Sequence, residues 1–264
     1  MTEPIVISMT DHRGVTRITL NRPEKRNAFD DQVIAELTDA ILKAGGNPDC
    51  RVVVLDGAGK HFSAGADLGY MKRTAQLTQE ENVDDARRLA GLMQALDRLD
   101  RPTLCLVQGA AYGGALGLIC ASDIAIGTRN SQYCLSEARL GITPAAIGPY
   151  VVRTLGQRQA RRYFQTSEVI RADPALQLGL IHECVDETEL ENKAGEIITA
   201  LLRNGPVAMA AGKELVAEVS GGAVSAEVIQ YTAELIARLR TGDEGQEGLA
   251  AFFDKRTPDW AITS

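Results

Sequence analysis

Aromatic residues are scarce in this chain, 5% of 264 with a single Trp, so Ala, Val, Leu and Ile must fill most of any core. No uninterrupted apolar stretch approaches the ~20 residues a membrane helix needs. The opening residues MTEPIVISMTDHRG contain no basic segment, apolar run or cleavage site, so no signal peptide is expected and the cytoplasm is the expected location. Basic residues are outnumbered, 28 against 35 acidic, for a formal charge of −7. That balance argues against a nucleic-acid partner and against an anionic membrane surface, while leaving room for a local basic pocket. The five cysteines show neither CxxC spacing nor neighbouring histidine pairs and read as buried, reduced thiols. His12, His61 and His182 lie far apart and make no HxxxH ligand pair, so no metal is expected.

Several familiar motifs are also missing. Gly57-Ala58-Gly59-Lys60 suggests a phosphate loop, but Val54 and His61 stand where that motif needs Gly and Ser or Thr. Gly113-Gly114-Ala115-Leu116-Gly117 is not the dinucleotide fingerprint, and no suitably placed acid follows it. Ser63 sits in His61-Phe62-Ser63-Ala64-Gly65, which lacks the first Gly of a nucleophile elbow.

Positive signals describe an α/β chain. Ile5–Met9 and Val15–Leu20 flank a turn-like Asp11-His12-Arg13-Gly14 and predict a hairpin. Val33, Leu37, Ala40 and Ile41 recur at helical spacing, and Gly45-Gly46 ends that helix. Val52–Leu55 and Thr103–Val107 are continuous apolar runs, expected as strands buried on both faces. Between them Thr78-Gln79-Glu80-Glu81 forms a capping box opening a helix with Val83, Ala86, Leu89, Ala90, Met93 and Leu96 as its stripe. A small-residue helix over Gly114–Ala121, a strand at Asp123–Gly127 and another at Ile181–Val185 follow. Alternation of this kind implies right-handed crossovers and a mostly parallel sheet. Beyond Glu189 the pattern is helical, broken near Gly205-Pro206, Ser220-Gly221-Gly222 and Thr241-Gly242. The expected division is an α/β core over 1–195 and a helical region over 196–264.

Two segments following buried strands place Gly and Ala where the chain enters a helix: His61–Leu68 and Gln108–Gly117. Small residues there let a ligand touch the backbone, and unpaired N–H groups at a helix start can converge on an oxyanion. By spacing alone, ordinary tight strand–helix turns account for both.

Residue identity adds more. Phe62-Ser63-Ala64-Gly65-Ala66-Asp67-Leu68, Gly113–Gly117, Ala121–Ala125, Asn21–Ala28, Leu140–Pro144 and Ala251–Arg256 together resemble the enoyl-CoA hydratase/isomerase (crotonase) superfamily over essentially the whole chain. The resemblance implies a crotonase-like spiral of ββα units with a helical C-terminal trimerisation region. It implies an acyl-CoA thioester substrate, no separate cofactor, and a homotrimer or dimer of trimers. Backbone N–H groups of Ala66 and Gly114 would hold the thioester carbonyl. Arg26, Ala28, Ala64, Asp67 and Leu68 match the CoA pocket, Tyr112 the substrate side, and Phe252 and Lys255 a terminal-helix contact with CoA, often from a neighbouring subunit. Arg22 and Lys25 would add positive charge near the CoA phosphates unless they are simply exposed.

Glu137 matches the second of two catalytic glutamates in the family's hydratases, and Gly117 stands where the first would be. Glu137 would then activate water and return the proton itself, or a residue that the sequence does not identify would take one of the two roles; the structural alternative is a carboxylate paired with Arg139 or Arg153. Ala145 and Ala146 fill a stretch where some isomerases of the family carry an acid. Gly117 and the Leu140–Arg153 stretch, with Ile147-Gly148-Pro149-Tyr150 replacing a Gly-Gly-Thr-Gln pattern, are most similar to bacterial hydratases of 3-branched glutaconyl thioesters, isohexenylglutaconyl-CoA before 3-methylglutaconyl-CoA. Burying the second carboxylate of such a substrate requires a partner, for which Arg139, Arg153 and Tyr150 are candidates. An isomerase or decarboxylase is the alternative enzyme, and an RNA-binding protein, disfavoured by the acidic surface, the alternative class.

Overall fold

The computed structural model describes residues 3–262. β1 (Val6–Thr10) and β2 (Val15–Leu20) form the expected antiparallel hairpin. Asp11 closes its turn by accepting the N–H groups of Arg13 and Val15 at 2.8 and 3.0 Å. α1 (Asp31–Gly46) leads to β3 (Val52–Gly57); then come α2 (Leu68–Thr74), α3 (Gln79–Asp97) and β4 (Thr103–Val107). The six-stranded main sheet runs β1-β2-β3-β4-β6-β9, with β6 at Ile124–Thr128 and β9 at Glu183–Val185, parallel from β2 onward.

Both faces of this sheet are covered, which explains the continuous apolar runs. Val53, Leu55, Cys105 and Val107 point into the cluster containing α1, α3 and α4 (Gly114–Ala121). Their alternates Val52, Val54, Leu104 and Leu106 meet Leu190, Ala194, Ile198 and Leu202 of α7 (Leu190–Leu202). The period-2 alternation of a strand serves two cores at once. Helix α7 therefore runs across residue 195 as a layer of the sheet.

A second, three-stranded sheet was not foreseen from sequence. β5 (Ala110–Tyr112) pairs in parallel with β7 (Gln132–Cys134), which pairs antiparallel with β8 (Ile170–Arg171). Between β7 and β8 lie a single turn of 3-10 helix at Glu137–Leu140 and the helix α5 (Gly148–Thr166). After β8 comes the short α6 (Ala172–Gln177).

The capping box of α3 is present in full, with Thr78 and Glu81 exchanging hydrogen bonds. Its stripe is corrected in part: Val83 and Ala86 are exposed, and Leu92, Met93 and Leu96 carry the burial. Those three fall in the half of α3 that reaches the sheet core.

The three predicted breaks separate α7, α8 (Pro206–Val219), α9 (Ala226–Thr241) and α10 (Asp243–Asp254). These last three helices bury little: Ala211, Leu235 and Ala251 are their buried apolar residues. Lys213 of α8 ties them to the core through Asp123 at 3.0 Å. Among the described residues, no helix is long and apolar enough to cross a membrane.

Candidate active site

The site is assembled where the chain leaves β3 and β4. Segment 61–67 runs beside the residues after β4: Phe62 donates to Gln108 O at 2.8 Å, Ser63 to Ala110 O at 3.0 Å, and Tyr112 to Ser63 O at 3.0 Å. Asn27, buried, donates to Ala58 O and His61 O at 2.9 and 2.8 Å, and Ala64 donates to Arg26 O at 2.9 Å. The Asn21–Ala28 segment is thus stitched to the β3 loop. His61 Nδ1 accepts from Ala110 N at 3.1 Å, a backbone-fastening role.

Phe29 N donates to Gly65 O and Asp67 N donates to Phe29 O, each at 2.7 Å. Both groups flanking Ala66 therefore face Phe29, and the alternation of extended backbone turns the Ala66 N–H away from it. Gly114 opens α4, and the first N–H of a helix has no acceptor within it. Among the described residues, no acceptor takes either N–H. The two donors are neighbours through the glycines that precede them. A side-chain carbon built on Gly113 would lie 4.0 Å from Gly65 Cα, and one built on Gly114 would lie 3.1 Å from the Phe29 ring. Gly113 has φ +54°, which suits glycine and lets the chain turn from β5 into α4.

The carboxylate arrives on the second sheet. Tyr112 pairs with Cys134, and Gly113 N donates to Cys134 O at 2.9 Å, which brings the turn starting at Glu137 beside the glycines. A carbon on Gly113 would stand 3.4 Å from Glu137 Oε1. Glu137 Oε2 is buried and has no hydrogen-bond partner among the described residues. Burial, with no cation at hand, raises its pKa above the usual carboxylate range. The structural pairing weighed from sequence is absent: Arg139 donates to Ser167 O, and Arg153 is held by Asp97 and lies over the Tyr150 ring.

Around this centre Arg26 and Leu68 are exposed, Ala64 and Tyr112 half-buried, and Ala28 buried. Asp67 has a local role that sequence alone did not assign. It caps α2, accepting from Gly69 N and Tyr70 N at 2.8 and 3.1 Å, and these bonds lower its pKa. Arg22 is corrected as a CoA-phosphate candidate: it is buried and paired with Asp30 at 2.6 Å. Lys25 remains outside, 3.7 Å from Asp67. Phe252 and Lys255 are exposed on and just after α10, which packs on α8 and α9 rather than on the site within its own chain. Gly117 is buried against Ile147 and Met93; a carbon there would fall 2.8 Å from Met93 Sδ and 3.0 Å from Ile147 Cβ.

Comparison with known proteins agrees with this architecture. The family model described as enoyl-CoA hydratase/isomerase matches residues 10–262. A solved enoyl-CoA hydratase from Shewanella pealeana is 46% identical, superimposes with a TM-score of 0.95, and the match covers 97% of this chain and 96% of that one. Pseudomonas aeruginosa AtuE is 36% identical over 98% of this chain and 100% of its own, with a TM-score of 0.93. The carnitinyl-CoA dehydratase of Salmonella enteritidis is 31% identical over 96% of this chain and 97% of its own. With the crotonase fold and a family match over nearly its whole length, the chain belongs to the enoyl-CoA hydratase/isomerase family.

Proposed function

We propose that this chain, an enoyl-CoA hydratase-type lyase, adds water across the 2,3 double bond of a 3-branched glutaconyl-CoA thioester. The observation that carries this reading is the meeting of Gly65, Gly113 and Glu137, which sets two unpaired N–H groups beside one unpartnered carboxylate. In this mechanism the N–H groups of Ala66 and Gly114 hold the thioester oxygen, drawing charge onto it and making Cβ electrophilic. Glu137 takes a proton from water as the water oxygen bonds to Cβ, and the π electrons pass to Cα and the held oxygen. The protonated Glu137 then delivers that proton to Cα, which regenerates the carboxylate and completes net addition of water. Coenzyme A enters as part of the substrate, and no other cofactor takes part.

The choice of a branched dicarboxylic acyl group rests on the sequence resemblance around Gly117 and Leu140–Arg153, with isohexenylglutaconyl-CoA ahead of 3-methylglutaconyl-CoA. Among the candidates for the distal carboxylate, Arg153 is already neutralised by Asp97. Arg139 has no acidic partner among the described residues and lies on the same turn as Glu137, which favours it. Arg26, Ala28, Ala64, Asp67, Leu68 and Tyr112 form the CoA and substrate rim in this reading. The C-terminal helices mediate a homotrimer or a dimer of trimers, and Phe252 and Lys255 meet CoA bound to a neighbour.

A single carboxylate also suits double-bond migration or decarboxylation through the same enolate. Incubating the purified protein with glutaconyl-type thioesters in isotopically labelled water separates the readings. Hydration puts label on Cβ as a hydroxyl group; a migrated double bond or released carbon dioxide without hydroxyl label would overturn it.

A further inference from the structure

The space next to Gly117 is filled. This residue lies on α4, one helical turn beyond Gly114, and like it faces α3, whose Leu89 and Met93 lie nearest the two positions. A side-chain carbon there would meet Met93 Sδ at 2.8 Å and Ile147 Cβ at 3.0 Å, with the Ile147 Cγ2 methyl closer still. Contacts under 3.0 Å exceed what close-packed side chains tolerate. Ile147 is 2% exposed and Met93 is fully buried, so neither is loose. Ile147 also ends the loop that begins at Glu137 and immediately precedes α5. That loop is internally tied, with Ile142 N donating to Glu137 O at 3.2 Å and Gly148 N to Ala145 O at 3.2 Å.

We infer that Ile147 is the positioning residue that fixes this centre as a one-carboxylate site. Its branched side chain stands where any side chain at 117 would have to stand, so a carboxylate at 117 and a β-branched residue at 147 exclude each other. The two sequence departures at 117 and 147 are therefore a single structural fact. Gly117 is required by Ile147, and the apolar plug of Ile147 and Met93 leaves Glu137 as the acid–base group on this side of α4. The inference rests on the hydratase reading for its chemistry, although the exclusion itself is a matter of packing.

The test is a set of four proteins: wild type, Gly117→Glu, Ile147→Ala, and both together. Melting temperature and the pH profile of hydration are measured for each, with a branched glutaconyl and a linear 2-enoyl thioester. Gly117→Glu alone is expected to lower the melting temperature, and adding Ile147→Ala to recover at least half of the loss. The double variant is expected to hydrate the linear thioester at least ~10-fold faster than either single variant. It should also gain a basic limb in its pH profile, because a second carboxyl must now be protonated. A Gly117→Glu protein as stable as wild type would overturn the exclusion, as would a folded double variant with the wild-type pH profile. Should the glutamate variants fail to fold, Gly117→Ala with and without Ile147→Ala reads the same exclusion from melting temperature, and additive effects there would refute it. Wild-type protein that hydrates neither thioester would sink the hydratase reading and leave this stability coupling standing.

Discussion

Glu137 directs Oε1 at Gly113, so closely that a methyl group on that glycine would lie 3.4 Å from the carboxylate oxygen. The carboxylate therefore stands at the mouth of α4, where the unpaired Gly114 N–H emerges, and not against an arginine. If it is the acid–base group, Glu137→Gln should bind thioester normally and lose at least ~100-fold in kcat, the low end for general acid–base catalysis. Steady-state kinetics with a separate binding titration checks this; near-normal turnover would remove Glu137 from the mechanism.

The pH dependence follows from the burial of the same group. The folded protein holds the Glu137 proton to a higher pH than the ordinary value of 4.5. As a base it must be ionised, so kcat/KM should fall on the acid side with a midpoint above 4.5. For stability the sign is reversed relative to an ion-paired carboxylate. Between 4.5 and the raised folded value the native state binds more protons than the unfolded chain, so stability is lost as pH rises through that window. Glu137→Gln removes the cost, and its melting temperature should exceed wild type at neutral pH and converge with it below 4.5. A constant difference across pH would show that the carboxylate is not desolvated.

Much of this arrangement was legible in the sequence, for reasons that differ by element. Val52–Leu55 and Thr103–Val107 announced doubly buried strands because both alternating sets are apolar, and Thr78 with Glu81 marked a helix start by local hydrogen bonding alone. The second sheet was illegible because β5, β7 and β8 have three, three and two residues, too short for any period to show. Arg22 reads as a surface cation because nothing in the Asn21–Ala28 motif announces that it folds inward onto Asp30, the N-cap of α1. Asp67 looked like a pocket residue; its Gly69 and Tyr70 partners give it the N-cap signature of a short helix, which was the readable signal. The fates of Arg139 and Arg153 depend on Ser167 and Asp97, contacts 28 and 56 residues away that no motif encodes.

The backbone donor at 114 can be tested by contrast. Gly114→Pro deletes the N–H, whereas Gly114→Ala keeps it and adds a carbon 3.1 Å from the Phe29 ring. The first helical position tolerates proline, although φ +54° at Gly113 makes the junction demanding. Proline should cost about 2.7–4 kcal/mol of transition-state stabilisation, roughly 10²–10³-fold in kcat, beyond any loss shown by the alanine variant. Circular dichroism and melting curves establish that both proteins are folded. Equal losses in the two variants would mean that crowding against Phe29, not the missing donor, is responsible.

Helices α8, α9 and α10 leave apolar side chains uncovered. Phe252 and Phe253 are 76% and 73% exposed and pack edge to face with centroids 5.7 Å apart, a large apolar display for a chain whose aromatics are so few. Val216 on α8 and Ile229 and Ile236 on α9 are exposed apolar side chains as well. Exposed apolar side chains gathered on one face mark association surfaces, and copies of one chain that associate through such a face form closed symmetric assemblies. In the proposed trimer, Phe252→Asp with Phe253→Asp should shift the protein toward monomer in sedimentation velocity. Because the same helix is proposed to reach CoA on a neighbour, KM for the thioester should rise together with dissociation. Lys255→Glu should raise KM while leaving the assembly intact, since Lys255 lies past the end of α10 and its proposed role is to offer a charge to the CoA phosphates. A wild-type monomer, or an aspartate pair that leaves the oligomer and KM unchanged, would place the function of these helices elsewhere.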